Sequence, residues 1–153
     1  MDNSFVVRCL EHEAQQRAAF ELMRELRPYL NDIDQFVRQL ARQAQQGYRL
    51  LGTFEGHHVI GLVGFREMEN LIYGRFIYVD DLIVNASRRQ RGFGAALLDA
   101  VRDEIRTQGC VHLVLDTGLH MPLAQRFYFR EGLLAKGLHV VQSLLLPEHP
   151  GHA

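Results

Sequence analysis

The sequence predicts one mixed α/β domain over residues 1–146, a mostly antiparallel central sheet of six to seven strands flanked by about four helices. Three observations predict it. Apolar residues recur at helical spacing in four separate stretches. Strand-length runs rich in Val, Ile, Leu, Phe and Tyr lie between them. Glycine or proline stands at most of the boundaries.

In chain order, Phe5–Leu10 reads as a first strand, and Ala18, Ala19, Leu22, Met23 and Leu26 form a helical stripe that Pro28 ends. Asn31 or Asp32 caps a second helix with the face Ile33, Phe36, Val37, Leu40, Ala41 and Ala44, and Gly47 stops it. Tyr48–Phe54 and His58–Phe65 predict a hairpin around Glu55-Gly56. Arg75–Val84, apolar on both faces, predicts a central strand. Gly94–Thr107 is a helix by period, with Gly109 after it; Val111–Leu115 is a strand; Leu123–Arg130 is a short helix ending near Gly132. Residues 133–146 are expected to hold one or two last strands, and 147–153, polar with two prolines, a flexible tail.

Composition narrows the function. The net charge is -1, which does not suit a dedicated nucleic-acid binder. Cys9 and Cys110 are too few for a disulfide framework and read as free thiols in a reducing compartment. The start shows no signal-peptide pattern, and no run approaches the roughly 20 apolar residues of a membrane span, so a cytoplasmic protein is expected. No His, Cys, Asp or Glu grouping has metal-ligand spacing, and no GxSxG nucleophile elbow occurs.

The informative stretch runs from Val84 to Ala95, out of a buried strand and into a helix. Gly92 and Gly94 let backbone N–H groups approach an anion, the helix start adds free donors, and Arg88, Arg89 and Arg91 add positive charge. That combination suits a phosphate or pyrophosphate; its bland alternative is a tight turn with solvated arginines. A GxxxxGK[ST] loop is absent, and so is a full GxGxxG, because Leu97 occupies the third position.

Arg89-Gln90-Arg91-Gly92-Phe93-Gly94 resembles the Arg/Gln-x-x-Gly-x-Gly/Ala signature of the GCN5-related N-acetyltransferase superfamily. The element order is similar too, so the resemblance covers nearly the whole chain. It implies a fourth and fifth strand that splay apart around acetyl-CoA. The backbone around Arg91–Ala95, with Arg89, Gln90, Gly92, Phe93 and Gly94, would then hold the pyrophosphate. Leu82, Ile83 and Val84 would pair with the pantetheine arm through their main chain. Downstream, Ala124-Gln125-Arg126-Phe127-Tyr128 to Gly132-Leu133 resembles the family's Ala-x-x-Phe-Tyr-x-x-x-Gly-Phe segment, which implies that Tyr128 protonates the departing thiolate. Met121 stands where many members carry an Asn that contacts the cofactor arm.

Asp80 and Asp81 interrupt the apolar strand just before that loop, a costly placement unless they are solvated or partnered. The stretch Tyr78–Val84 resembles the acidic-pair strand of diamine and polyamine acetyltransferases. By that resemblance Asp80 accepts the amine proton and Asp81 orients a cationic amine. On a regular strand the pair would face opposite ways, and a bulge could re-aim one of them. A structural role, with Arg75 or Arg49 as partner, is the alternative. Tyr48, Tyr73, Tyr78 and Glu67 are further candidates for an acceptor cleft. Glu69 and Asn70 are expected in a loop with Glu67, and His120 is the most functional-looking histidine.

The resulting expectation is direct acetyl transfer from acetyl-CoA to a primary amine of a small cationic molecule or a protein, with no covalent enzyme intermediate. The alternative is a non-catalytic acyl-CoA sensor. The apolar stretch Leu138–Leu146 could pair across a homodimer.

Overall fold

A computed structural model describes residues 5–145. Its elements are β1 (Val7–Cys9), α1 (Glu13–Leu26), α2 (Ile33–Ala44), β2 (Arg49–Glu55), β3 (His58–Asn70), β4 (Gly74–Val84), a 3-10 turn (Ala86–Arg88), α3 (Phe93–Gln108), β5 (Leu113–Leu115) and α4 (Pro122–Arg130).

Local chemistry sets the helix ends. The Asp32 carboxylate accepts the N–H groups of Asp34 (2.8 Å) and Gln35 (3.2 Å) and so opens α2. Arg27 closes α1, its N–H bonded to Met23 O at 2.8 Å, and Pro28 cannot continue the ladder. Gly109 ends α3 with φ 72°, a left-handed conformation that suits glycine.

The sheet order is β1-β2-β3-β4-β5, with antiparallel neighbours except for the parallel β4–β5 pair. Helices cover both faces. α1 and α2 bury Ala19, Phe20, Leu22, Met23, Phe36 and Leu40 with Leu50, Leu62 and Ile83. α3 buries Leu97 and Val101 against Leu51, Val63, Phe65, Ile77 and Val79 on the other face. Leu97 is fully buried, so truncating it to Ala should cost about 2–5 kcal/mol.

Two expectations need correction. Glu67, Glu69 and Asn70 do not sit in a loop: β3 runs on to Asn70, pairing Glu67 with Ile77 and Glu69 with Arg75. A turn held by Asn70 Oδ1, which accepts the N–H groups of Ile72 (3.0 Å) and Tyr73 (2.7 Å), lets the polar residues extend the ladder. The sheet has five strands among the described residues, not six to seven, since residues 133–145 form none. Their apolar residues come in adjacent pairs (Val140-Val141, Leu144-Leu145) that give no alternating face, and β5 offers only a three-residue edge. The four helices are those expected. The tail 147–153 and Leu146 lie outside the described residues. No described helix is long and apolar enough to cross a membrane.

Candidate active site

β4 carries a bulge at the acidic pair. The register runs from Val79↔Phe65 straight to Asp81↔Gly64, so Asp80 has no partner on β3. The consequence is visible in the packing. Val79 and Leu82 both reach the α3 side of the sheet, although regular alternation would send them to opposite faces. The two residues between them both turn to the α1 side, where Arg66 and Arg27 meet them. The structure therefore places both carboxylates on one face.

Asp81 is fully engaged. Its Oδ1 accepts from Arg27 Nε at 3.0 Å and lies 2.8 Å from Arg27 Nη2; its Oδ2 accepts from Tyr48 Oη at 2.7 Å. Arg27 Nη2 also donates to the Asp80 carbonyl at 2.8 Å. Tyr48 is buried, and burial together with the Asp81 charge pushes its pKa well up, so it keeps its proton and donates. Its hydroxyl lies against Gly64, where an added Cβ would sit 1.8 Å away.

Asp80 is held on one side only. Its Oδ1 accepts from Arg66 Nη2 at 2.9 Å, while Oδ2 is buried without a hydrogen-bond partner among the described residues. Burial raises its pKa, the Arg66 cation opposes this, and the neighbouring Asp81 charge adds to it. Next to it Tyr78 donates to Asp116, beyond the end of β5, and His139 Nδ1 lies 3.4 Å from the same Asp116 oxygen. Burial and Asp116 raise the Tyr78 pKa.

The glycine loop begins where β4 ends. Pairing with β5 stops at Val79↔Leu115, so along Leu82–Val84 only the β3 edge is paired. Asn85 Oδ1 accepts from Ser87 N at 3.0 Å and starts the 3-10 turn. Gln90 (φ 63°) and Gly92 (φ 85°) then take left-handed conformations, and α3 starts without a side-chain cap. The first intrahelical bond is Ala96 N–H to Gly92 O at 3.0 Å, which leaves the N–H groups of Phe93, Gly94 and Ala95 as unused donors. Holding a non-glycine residue such as Gln90 at positive φ costs on the order of 1–3 kcal/mol of backbone strain. Of the three arginines, Arg88 is occupied by Glu55, with Nε–Oε2 at 3.0 Å. Arg91 lies close enough to Glu55 to help lower its pKa. Arg89 forms no side-chain hydrogen bond or ion pair among the described residues. These donors and this charge fit a pyrophosphate.

The two sequence signatures touch. A Cβ on Gly94 would stand 3.0 Å from Phe127 Cζ, so this glycine lets α4 approach the start of α3. Its neighbour Tyr128 is half-buried, and its hydroxyl has no hydrogen bond among the described residues. Burial raises its pKa, and the Arg27 charge opposes that rise, so Tyr128 and the acidic pair share one electrostatic neighbourhood. Met121 caps α4 and Pro122 occupies its first turn.

Other candidates fall elsewhere. Tyr73 packs on Phe76 and His112 at the opposite end of β4. Glu67 holds Arg75 (Nε–Oε1 2.7 Å), and Arg49 pairs with Glu104 at 2.8 Å, so neither arginine partners the acidic pair. His57, His58 and His120 are exposed. An open groove of about 550 Å³ is lined by Phe5, Val7, Gly92 and α3 residues from Ala95 to Asp103, and by neither Asp80 nor Tyr128. No described cluster of His, Cys, Asp or Glu could hold a metal ion. Sequence reasoning missed Arg27, Arg66, Gly64 and Asp116. Gly64 alone carried a local signal, since a glycine inside an apolar strand marks a close approach.

Comparison with known proteins bears on the family and the fold. The sequence profile described as "Acetyltransferase (GNAT) family" matches residues 10–132. An uncharacterized N-acetyltransferase, YhdJ, of Bacillus subtilis (strain 168) is 31% identical over 111 residues, which are 72% of this chain and 78% of that protein. Among solved structures, AAC(6')-Iy in complex with the bisubstrate analog CoA-S-monomethyl-acetylneamine superposes with a TM-score of 0.79 at 17% identity, covering 94% of this chain and 100% of that one. Ribosomal-protein-alanine N-acetyltransferase from Brucella melitensis biovar Abortus 2308 gives 0.77 at 19%, covering 90% and 99%.

Proposed function

The chain belongs to the GNAT acetyltransferase family, and from that premise we propose that it acetylates a primary amine of a cationic molecule at the β4 bulge. The observation that carries this reading is the Asp80 carboxylate, buried with an unpartnered oxygen at a bulge in the strand that leads into the glycine loop.

Acetyl-CoA supplies the acetyl group as a thioester. The free amides of Phe93, Gly94 and Ala95 and the unpaired Arg89 would hold its pyrophosphate, with Gln90, Arg91 and Gly92 shaping the loop. The unpaired edge of Leu82, Ile83 and Val84 would take its arm, in an opening between β4 and β5 that starts where their pairing stops. Asp80 accepts the proton of the ammonium, directly or through water; its raised pKa makes it a stronger base than an ordinary aspartate. Asp81, engaged by Arg27 and Tyr48, orients the amine through its charge rather than through a free oxygen. Tyr128, kept protonated by burial, gives its proton to the departing sulfur.

Asp80 and Asp81 are paired with Arg66 and Arg27, and Asp116, bonded by Tyr78, adds a third carboxylate nearby. That balance attracts a cation, either a small polyamine-like molecule or an amine of a protein. The exposed apolar residues Leu138, Val140, Val141, Leu144 and Leu145 favour pairing of two copies. The test is release of free thiol from acetyl-CoA in the presence of polyamines, aminoglycosides and lysine peptides. Turnover with cationic amines is expected. Turnover only with neutral acceptors would overturn the assignment of acceptor class.

A further inference from the structure

Arg27 is an unexpected participant. It stands at the end of α1, far from either signature in sequence, yet one guanidinium reaches both members of the acidic pair. Nε donates to the Asp81 carboxylate at 3.0 Å, and Nη2 donates to the Asp80 main-chain carbonyl at 2.8 Å while lying 2.8 Å from Asp81 Oδ1. A bulge leaves one residue outside the ladder, and its carbonyl then needs another donor. Arg27 is that donor. Arginine suits the task because its planar fork holds two acceptors at fixed spacing, which a lysine ammonium does less well.

Resting on the transferase reading above, we infer that Arg27 is the positioning residue of this site: by gripping the Asp81 carboxylate and the Asp80 carbonyl together it fixes the β4 bulge, and its charge faces both Asp80 and Tyr128. The surroundings bear on the sign. Asp80 faces Arg66 from β3, Tyr48 from just before β2, Asp81 and Tyr78 from its own strand, and Arg27 from the end of α1; Asp116 lies beyond Tyr78. Arg27 is the cation that Asp80 and Tyr128 share. Its positive charge favours the carboxylate of Asp80 and the phenolate of Tyr128. Removing it raises both pKa values. The acid limb of the rate profile, where Asp80 must be ionised, and the alkaline limb, where Tyr128 must be protonated, therefore move upward together.

Arg27→Gln keeps amide donors and deletes the charge, and Arg27→Lys restores the charge without the fork. In Arg27→Gln, kcat should fall along the acid limb of the pH profile and recover at higher pH, with the acetyl-CoA KM unchanged. In Arg27→Lys, the pH limbs should return toward those of the wild type. The midpoint of Asp80, read by carboxyl carbon NMR on the full chain, should rise in Arg27→Gln. That reading needs no turnover, so it separates this inference from the transferase assignment, which wild-type thiol release tests. A folded Arg27→Gln protein with an unmoved Asp80 midpoint would overturn the inference. So would a loss of rate equal at every pH that tracks only a fall in Tm.

Discussion

Gly64→Ala is a one-methyl perturbation whose outcome the structure fixes closely. Gly64 does not take a positive φ, so its backbone would accept alanine; the obstacle is space. The new Cβ would lie 1.8 Å from Tyr48 Oη, 2.4 Å from Cζ and 2.8 Å from Cε2. Tyr48 must swing away, and the bond from its hydroxyl to Asp81, 2.7 Å long, must break. Overpacking a core costs about 1–3 kcal/mol and losing a hydrogen bond to a charged group about 1.5–3 kcal/mol, so the sum is roughly 2.5–6 kcal/mol. For a chain of this size that lowers Tm by roughly 5–24 °C. Denaturant melts of Gly64→Ala alone and in a Tyr48→Leu background provide the assay. In the double variant the phenol is gone, and the cost of the methyl should fall below about 1 kcal/mol. A Gly64→Ala protein as stable as the wild type would refute the reasoning. An equal loss in both backgrounds would show that the methyl clashes with something other than Tyr48.

Tyr128→Phe should lower kcat by about 10²-fold while leaving acetyl-CoA affinity unchanged in calorimetry; an unchanged rate removes Tyr128 from the acid role. Asp80→Asn should reduce kcat by about 10²–10⁴-fold at neutral pH. The same variant should change stability in the opposite direction. Asp80 has a raised pKa in the folded state, so its contribution is present below the unfolded value of about 3.9 and is lost as pH rises through the folded value. Thermal melts should show Asp80→Asn gaining on the wild type from about pH 4 upward. A constant difference across that range would mean that Asp80 titrates like a solvated carboxylate.

The parts of the fold that follow from period and punctuation were legible in the sequence. Asp32 caps α2, Pro28 follows the end of α1, Gly109 stops α3, and the larger residues of each apolar stripe face the core, while Ala18, Ala41 and Ala44 are exposed and Phe20, outside the expected stripe, is buried. The far half of β3 was not legible, because Arg66-Glu67-Met68-Glu69 has no buried face and is held by pairing with β4 alone. The final strands were read from apolar content that, among the described residues, is mostly exposed. At the site, the glycine loop, Asp80 and Asp81 could be singled out because local composition is unusual there, and Tyr128 only through the family resemblance. Their partners could not. Arg27 lies 54 residues from Asp81, and Tyr48 lies 33 from it. Such contacts are made by the stacking of α1 on the sheet, not by any local pattern. The bulge could be anticipated as a possibility from two adjacent carboxylates, but its position needed the register of β3.

The central claim is that the Arg89–Ala95 loop holds the pyrophosphate of acetyl-CoA, and calorimetric titration tests it most directly. Saturable binding of acetyl-CoA is expected, with none of NAD or ATP under the same conditions and clearly weaker binding in Arg89→Ala. Folded protein that binds no acetyl-CoA, or that binds it equally well in Arg89→Ala, would contradict the account.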